Sequence, residues 1–320
     1  MDTKKNRAKI VAKRYRALAI VLGGTAGIAL LIQGLLSFAL GAEAQTISEG
    51  VEEIRSGKTT NPFETISLEA HAAYVIELKT GTVLYAKNEN QRLPLASITK
   101  LMTTLIVREN LSEDIVATIT KDDLSIMGDS GLHTGERWRL GDILNVMLLV
   151  SSNDAAHAVS GLLGQGDDTN AKRAVFIQKM NEKAQLLNLE QMEFFNESGL
   201  DVNDSQNGGY GSARNVAILF AELWRKYPEA VEITAHKDAR IYSQDNIAHI
   251  LPNTNEIVGS IPGLIASKTG FTDMSGGNLT VIFDRGIGDP VLIVVLGSSY
   301  KGRFDDVQKL VSASREVGSF

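Results

Sequence analysis

The longest apolar run of the chain lies near its N-terminus. Residues 17–40 contain no charged side chain, and as a helix they would extend about 36 Å, which exceeds a hydrocarbon core of about 30 Å. Seven Lys and Arg side chains precede this run within residues 1–16, and such cationic flanks stay on the cytoplasmic side of a membrane. The pattern predicts a basic cytoplasmic tail at 1–16 and a transmembrane or signal segment at 17–40.

The sequence leaves open whether this apolar segment is a retained anchor or a cleaved signal peptide. Its length favours an anchor, because the apolar core of a signal peptide has about 7–15 residues. The A-x-A pattern at 42–44 instead favours cleavage after Ala44 and secretion. In either case the rest of the chain is expected outside the cytoplasm, at the outer face of the cell membrane when anchored. Residues 41–66 are polar and are predicted to form a linker.

Beyond residue 66 the apolar positions change between strand and helix spacing, which predicts one domain over residues 67–320. Strand-like runs occupy 72–77 and 82–85, then 264–268, 279–284 and 291–296. Helical spacing occupies 98–108, 140–163, 171–187, 213–226 and 305–317. Strands at both ends with helices between them predict an α+β fold, in which the first and last strands meet and a helical lobe is inserted.

Composition and charge restrict the class of protein. With 43% hydrophobic and 22% charged residues, the 320-residue chain has the composition of a folded globular protein. Its net charge of −6 combines +6 within residues 1–16 with −12 in the remainder. Because an acidic body repels polyphosphate, nucleic acid is not an expected partner.

Cys and His usage bears on cofactors. The chain has no Cys, which excludes thiolate chemistry, disulfides and Cys-ligated zinc. Its five His residues form no ligand spacing such as H-x-x-x-H, and His157 is expected to pack between helices. No metal and no other cofactor are therefore expected.

The tetrapeptide Ser-Ile-Thr-Lys at 97–100 is the first motif with catalytic potential. Helical spacing begins there, so Ser97 is expected at a helix N-terminus with Lys100 one turn later on the same face. A Ser hydroxyl is a weak nucleophile without an adjacent base, and a Lys becomes that base only when burial or another cation lowers its pKa. The N-terminus of the helix also supplies N–H groups where an oxyanion can form.

Two further motifs follow at predicted element ends. Ser151 and Asn153 lie at the break between two helical runs, where a hydroxyl and an amide can relay a proton and hold a substrate amide; ordinary helix capping is the alternative. Lys268, Thr269 and Gly270 end a predicted strand. There a cation and a hydroxyl can bind a carboxylate, and Gly allows a close backbone approach.

Each motif also has a second copy in the chain. Ser-Ser-Tyr-Lys at 298–301 follows a strand instead of starting a helix, and Ser-Gln-Asn at 205–207 lies in a Gly-rich loop. Lys-Thr-Gly at 79–81 joins the first two strand-like runs, which is typical of a hairpin turn. These copies are predicted to have no catalytic role.

The order of the three motifs leads to a family. Ser-x-x-Lys, then Ser-x-Asn 54 residues later, then Lys-Thr-Gly is the signature of class A β-lactamases and penicillin-binding proteins. With the flanking segments LPLASITKLMTTL, SSNDAAHAV, SARNVAILFAELWRKYP and SKTGFTD, residues 66–320 resemble the low-molecular-mass penicillin-binding proteins. These are serine D-alanyl-D-alanine carboxypeptidases of the penicillin-recognising, β-lactamase/transpeptidase-like fold, an antiparallel sheet flanked by helices.

The resemblance implies an activity and its partners. It implies a hydrolase of cell-wall biogenesis and cell shape that trims peptidoglycan stem pentapeptides ending in D-Ala-D-Ala, with β-lactams as inhibitors. Ser97 would be the acylated nucleophile and Lys100 its general base. Ser151 would pass a proton to the leaving D-alanine nitrogen, while Asn153 would hold the substrate peptide and orient Lys100.

The same resemblance implies how the substrate is bound. Lys268 would set the electrostatics of the site and, with Thr269, bind the terminal carboxylate, next to the small Gly270. The backbone N–H groups of Ser97 and Phe271 would form the oxyanion hole, in which removal of one donor typically costs about 3–4 kcal/mol of transition-state stabilisation.

Two departures from the family leave substrate preference open. Ser152 and Ser267 stand where relatives often carry Gly and Ile. The extra C-terminal β domain and amphipathic tail of the larger carboxypeptidases are not expected after residue 320, which would make an N-terminal anchor more necessary.

Three alternatives to the carboxypeptidase differ from it in the residues or the chemistry they need. A class A β-lactamase needs a Glu-x-x-Leu-Asn element to activate the deacylating water, but Gly141 and Ala184 stand where the two Leu-Asn pairs would need Glu. A DD-endopeptidase cutting peptidoglycan crosslinks would use the same residues. A non-catalytic, membrane-tethered β-lactam sensor or wall-binding module would not need the complete set of catalytic residues that this chain has.

Overall fold

The structure, a computed structural model, describes residues 61–128 and 130–317. The predicted basic tail, the transmembrane or signal segment and linker residues 41–60 lie outside the described residues, so the predictions made for them stay predictions. Among the helices of the two described ranges, none is both long enough and apolar enough to cross a membrane.

Antiparallel pairing connects the strands of the described residues, and most helices lie between the second and the tenth strand. The strands are β1 (Ala72–Glu77), β2 (Val83–Lys87), β3 (Leu93–Pro94), β4 (Val116–Thr118), β5 (Arg137–Arg139), β6 (Glu193–Phe194), β7 (Gly209–Gly211), β8 (Asp238–Tyr242), β9 (Ala248–Pro252), β10 (Leu264–Thr272), β11 (Gly276–Asp284) and β12 (Pro290–Ser298). The helices are α1 (Lys100–Asn110), α2 (Leu140–Leu149), α3 (Asn153–Ser160), α4 (Thr169–Leu186), α5 (Ala213–Lys226), α6 (Glu229–Glu232) and α7 (Gly302–Val317).

The main sheet has the strand order β10-β11-β12-β1-β2. Its first and last strands meet as predicted, since β1 pairs with β12 from Ala72 opposite Leu296 to Glu77 opposite Val291. The hairpin predicted at 79–81 is also present, because β1 pairs with β2 across that turn. This order leaves β10 at an edge of the sheet, where half of its N–H and C=O groups are not used by β11.

Both faces of the sheet are buried, which explains the nearly continuous apolar run of β12. Alternate residues of a strand point to opposite faces. Leu292, Val294 and Leu296 therefore pack with the helical lobe and α5, while Val291 and Ile293 join the core that α7 covers. At about 25 cal/mol per Å² of apolar surface, burying each such side chain stabilises the fold by about 1.5–3 kcal/mol.

The helical lobe is built from α1 to α4 and is inserted in the chain between β2 and β10, the two edge strands of the main sheet. The apolar run predicted as helical over 140–163 is two helices, α2 and α3, separated at residues 150–152. Ser151 has φ +61°, a left-handed conformation that ends the first helix. Ser152 then caps the second, because its side chain accepts a hydrogen bond from the N–H of Ala155.

Two features of the fold had no clear signal in the sequence. In the hairpin β8–β9, alternate residues are buried or partly buried, and Leu251 packs in the core shared with the helical lobe. Residues 61–66, assigned to the predicted linker, already pack on the sheet: Phe63 is buried and its ring stacks on Tyr85 with 5.6 Å between centroids.

Candidate active site

A short 3₁₀ turn, Ala96–Thr99, carries Ser97 to the start of α1. Ala96 has φ +47°, which is uncommon for a residue with a side chain and is found at functional sites. Asn278 of β11 fixes the approach to this turn, since its Nδ2 donates to the carbonyls of Pro94 and Leu95, both at 3.0 Å. Ser97 itself stays partly exposed, so a substrate can reach its hydroxyl.

Lys100 lies at the first position of α1 and is completely buried. Its Nζ is 2.9 Å from Oγ of Ser97, 2.8 Å from Oδ1 of Asn153 and 2.8 Å from the carbonyl oxygen of Ser198. The last two atoms can only accept hydrogen bonds, because Nδ2 of Asn153 is used to donate to the carbonyl of Met127. A neutral amine therefore gives its two N–H groups to them and keeps its lone pair for the hydroxyl of Ser97.

The electrostatics of the site favour that neutral amine near neutral pH. Burial lowers the pKa of Lys100 to about 7, while the negative charge of Glu197 acts in the opposite direction. A buried ammonium loses hydration that the protein does not replace, which is the usual reason for such a shift. An amine with a pKa close to the working pH is suited to act as a general base.

A second buried amine lies across the site from the first. Nζ of Lys268 donates to Oγ of Ser151 at 2.8 Å and to the carbonyl oxygen of Thr269 at 2.9 Å. Burial holds the pKa of Lys268 well below its usual value, and the positive charges of Lys100 and Arg303 add to that effect. The hydroxyl of Ser151 is thus next to a group that can return a proton to it.

The rest of the Lys-Thr-Gly motif lies against the turn that holds the nucleophile. A Cβ on Gly270 would be 2.8 Å from the carbonyl oxygen of Leu95 and 3.2 Å from the backbone nitrogen of Ser97. Because a Cβ essentially never comes within 3.0 Å of another heavy atom, only Gly allows β10 to come so close. Oγ1 of Thr269 is 2.6 Å from Oγ1 of Thr254, and the half-exposed ring of Phe271 packs edge-on against Tyr300.

The structure brings all the predicted site residues to one place, where α1 begins, the α2–α3 break occurs and β10 runs along the sheet edge. They are Ser97, Lys100, Ser151, Asn153, Lys268, Thr269, Gly270 and Phe271. Two of the second copies make contacts outside this group: Lys79 is exposed in the hairpin turn, and Oγ of Ser298 donates to Asp306 at 2.9 Å. In the third copy, Nδ2 of Asn207 donates to Asp201 and lies 3.5 Å from Oγ1 of Thr272 on β10.

Sequence reasoning missed several partners of these residues. Ser198 contributes only a backbone carbonyl, and Asn278 acts from a strand far along the chain, so neither belongs to a short motif. Arg303 donates to the carbonyl of Gly270 at 2.9 Å and thereby holds β10 next to the site. His157, expected to be a packing residue, instead forms a hydrogen bond of 2.7 Å with the buried carboxylate of Glu197.

Comparison with known proteins identifies relatives of this chain. A sequence profile described as D-alanyl-D-alanine carboxypeptidase matches residues 57–299. The D-alanyl-D-alanine carboxypeptidase DacF of Bacillus subtilis is 31% identical over 263 residues, covering 80% of this chain. A D-alanyl-D-alanine endopeptidase of Pseudomonas aeruginosa is 28% identical over 251 residues, covering 76% of each chain.

A solved structure agrees with the fold. The crystal structure of a Streptomyces DD-transpeptidase superposes with a TM-score of 0.71 at 26% sequence identity, covering 78% of this chain and 97% of that one. The β-lactamase/transpeptidase-like fold expected from the sequence is therefore confirmed for the described residues.

These findings define the class of protein as the penicillin-recognising DD-peptidases. The chain belongs to the D-alanyl-D-alanine carboxypeptidase family. It spans 64% of the length of the Bacillus subtilis relative.

Proposed function

We propose that this chain is a serine-type D-Ala-D-Ala carboxypeptidase that trims peptidoglycan stem pentapeptides through an acyl-enzyme on Ser97. The observation that carries the proposal is the contact set of Lys100. A buried amine with a pKa of about 7 lies 2.9 Å from the Ser97 hydroxyl, and its N–H groups are directed to Asn153 and Ser198.

In the proposed reaction, Lys100 takes the proton of the Ser97 hydroxyl as Oγ attacks the carbonyl carbon of the penultimate D-alanine. The new Oγ–C bond forms a tetrahedral oxyanion, which the N–H groups of Ser97 and Phe271 stabilise. The C–N bond then breaks, and Ser151 passes a proton to the leaving D-alanine nitrogen. Its neighbour Lys268, 2.8 Å away, restores that proton. The proton that Lys100 took from Ser97 then replaces the one that Lys268 gave up, so both amines end acylation in their starting states and Lys100 is again neutral.

Substrate binding is assigned to the remaining motif residues. Asn153 holds the peptide backbone, and Lys268 with Thr269 attracts the terminal carboxylate. Water then hydrolyses the ester on Ser97, with Lys100 as the base. A β-lactam acylates Ser97 by the same attack, and we expect it to leave slowly and so to inhibit the enzyme.

The decisive experiment measures D-alanine release from a diacyl-L-Lys-D-Ala-D-Ala peptide by the full-length chain, with Ser97→Ala as the control. Stoichiometric release that requires Ser97 supports the proposal. Labelling of Ser97 by a fluorescent penicillin without any D-alanine release would overturn it and favour the non-catalytic sensor. Rapid turnover of benzylpenicillin would also overturn it, because it would indicate a β-lactamase.

A DD-endopeptidase is the second candidate function, because the Pseudomonas aeruginosa relative carries that name. Both activities attack the same D-alanine carbonyl and differ in the leaving group, which is free D-alanine or a branched peptide amine. Incubating the chain with pentapeptide and crosslinked dimeric muropeptides, followed by mass analysis, separates them. Loss of dimers at unchanged pentapeptide would favour the endopeptidase.

We further propose that the domain acts at the outer face of the bacterial cell membrane, held there by residues 17–40. The support comes from the uncharged run and the seven preceding cations. Carbonate extraction of membranes and mass analysis of the purified N-terminus test this topology. An N-terminus at Gln45 would show instead that the segment is a cleaved signal.

A further inference from the structure

Two polar side chains close to Lys100 have no task in the proposed reaction. Glu197 follows β6 in a loop, and His157 lies on α3; their side chains are 8% and 13% exposed. Nδ1 of His157 and Oε1 of Glu197 are 2.7 Å apart. A buried carboxylate is costly unless it is paired and hydrogen-bonded, so its position next to the active site calls for an explanation.

The loop that carries Glu197 is tied to the helix that carries Lys100. The carbonyl oxygen of Glu197 accepts a hydrogen bond of 2.6 Å from Oγ1 of Thr103, which lies on α1 one turn after Lys100. The next carbonyl, that of Ser198, accepts the bond of 2.8 Å from Nζ of Lys100. A displacement of Glu197 would therefore displace an atom that contacts the amine.

The charge of Glu197 also acts on the amine. Burial lowers the pKa of Lys100, and Glu197 is the group whose negative charge counteracts that effect. Burial alone would raise the pKa of Glu197, but hydrogen bonds from His157 and from its own backbone N–H, with the charges of His157 and Arg173, hold that pKa below its usual value. The carboxylate is therefore ionised, and it lies near enough to Lys100 for its charge to act on the amine.

Charged groups from other elements surround the pair. Asp122, before the 3₁₀ turn at 123–125, has Oδ2 3.6 Å from Nε2 of His157. Arg173 of α4 reaches both Asp122, at 2.8 Å, and Asp123, at 3.0 Å. Because Arg173 neutralises much of their charge, Glu197 is the anion that bears on Lys100 most directly.

We propose that Glu197 and His157 are positioning residues for Lys100, in which the carboxylate balances the charge of the buried amine and the imidazole holds the carboxylate in place. This inference rests on the proposed role of Lys100 as the base. It adds two residues outside the three motifs to the group that controls the pH range of the reaction.

The test is the pH dependence of Ser97 acylation by a fluorescent penicillin in the full-length chain. Acylation needs neutral Lys100, so its rate falls on the acidic side. Glu197→Gln keeps the shape and removes the charge, and we expect the acidic limb to move to lower pH by about one pH unit. The plateau rate at high pH should change much less. A limb that stays within 0.2 pH unit of the parent, on the order of the error of such a titration, would overturn the proposal.

A matched control exists in the same chain. Glu136, just before β5, and His249 of β9 form a second buried pair at the same distance of 2.7 Å. Glu136→Gln disrupts an equivalent buried pair that has no contact with Lys100. We therefore expect lower thermal stability but no shift of the acidic limb of the pH–rate profile. A shift as large as that of Glu197→Gln would mean that general loosening moves the limb, and the proposal would fail.

Variants of the histidine test its supporting role. His157→Gln can still donate to the carboxylate and should retain the parent pH profile, whereas His157→Ala should move the limb in the direction of Glu197→Gln. Equal profiles for the two His157 variants would contradict the assignment. If Glu197→Gln does not fold, the apolar double variant Glu197→Met with His157→Leu replaces it, since removing both partners of a buried pair is often tolerated.

A direct titration separates this inference from the proposed function. NMR of chain labelled at lysine ¹³Cε follows the protonation of Lys100 without any substrate. A lower titration midpoint in Glu197→Gln supports the inference even if no D-alanine is released by the parent. An unchanged midpoint in a protein that is acylated normally overturns the inference and leaves the proposed function intact.

Discussion

The two Lys-Thr-Gly sequences of this chain have the same residues but differ in burial, in contacts and in the role of their glycine. Lys268 is 1% exposed on the edge strand β10, and its amine contacts Ser151. Lys79 is exposed in the turn between β1 and β2, where Gly81 has φ +76°. The glycines also differ in purpose, because Gly81 supplies a left-handed turn whereas Gly270 allows β10 to approach the nucleophile.

The difference shows what gives a short motif its chemistry. The amine of a surface lysine stays hydrated, so nothing in its surroundings activates it for catalysis. A lysine held in the interior must find its partners among other elements, and its pKa moves as a result. Burial and a partner from a distant element therefore distinguish the functional copy from the other, and single substitutions in both copies can test this.

The largest expected contrast is between the two Ser-x-x-Lys serines. Ser97→Ala should abolish acylation by penicillin and release of D-alanine, because Ser97 supplies the one hydroxyl among the described hydrogen-bond partners of the Lys100 amine. Ser298→Ala removes a hydrogen bond to the buried Asp306, so it should lower the unfolding free energy by about 1–3 kcal/mol and leave the acylation rate unchanged. Gel fluorescence and thermal denaturation measure the two effects, and retained labelling of Ser97→Ala would remove Ser97 from its role.

The two lysines should differ nearly as much. Lys268→Ala removes the partner of Ser151 and a positive charge from the carboxylate end of the site, so we expect acylation to slow on the order of a hundredfold or more. Lys79→Ala should leave the rate within about twofold, since substitutions of exposed residues rarely have large effects. Stopped-flow acylation compares the variants. Equal losses would mean that the wrong Lys-Thr-Gly had been assigned to the site.

The main sheet and the positions of the motifs could be predicted from the sequence, each for a physical reason. Strands such as β12 bury both faces and therefore appear as continuous apolar runs, and α5 was predicted with the bounds the structure has, Ala213–Lys226. Two of the three motifs could be placed because they lie where a helix begins or breaks. The third, Lys-Thr-Gly at 268–270, was expected to end a strand but lies inside β10, which continues to Thr272. Their order along the chain then sufficed to identify the family.

The remaining parts of the site could not be predicted because their residues act through position and not through type. The carbonyl of Ser198 and the amide of Asn278 are common groups that become important only when the fold places them beside the Ser97 turn. His157 resembled a packing residue because its partner, Glu197, lies 40 positions away. The hairpin β8–β9 lacked a strong apolar pattern because only alternate residues of its two short strands are buried or partly buried.

The two glycines give a contrast of intermediate size. Gly270→Ala places a Cβ 2.8 Å from the carbonyl oxygen of Leu95, so β10 must move away from the nucleophile and acylation should slow by about tenfold to a hundredfold, since small misplacements are costly. Gly81→Ala meets no atom within 4 Å and should only strain the turn, by about 1–2 kcal/mol. Acylation rates and melting temperatures separate the outcomes; equal rates would show that close approach of β10 is not required.

The smallest contrast concerns the pH dependence of acylation. It compares the lysines of the two Ser-x-x-Lys copies, buried Lys100 and exposed Lys301. Since burial lowers the pKa of Lys100 to about 7, the neutral base is present above that pH and is lost below it, and the acylation rate at pH 6 should be about a tenth of its plateau. Lys301 is exposed and belongs to the second Ser-x-x-Lys copy, so Lys301→Gln should reproduce the parent profile. Acylation rates from pH 5 to 9 measure both. A flat profile through pH 6 would mean that the amine beside Ser97 is not the base, however close the two atoms lie.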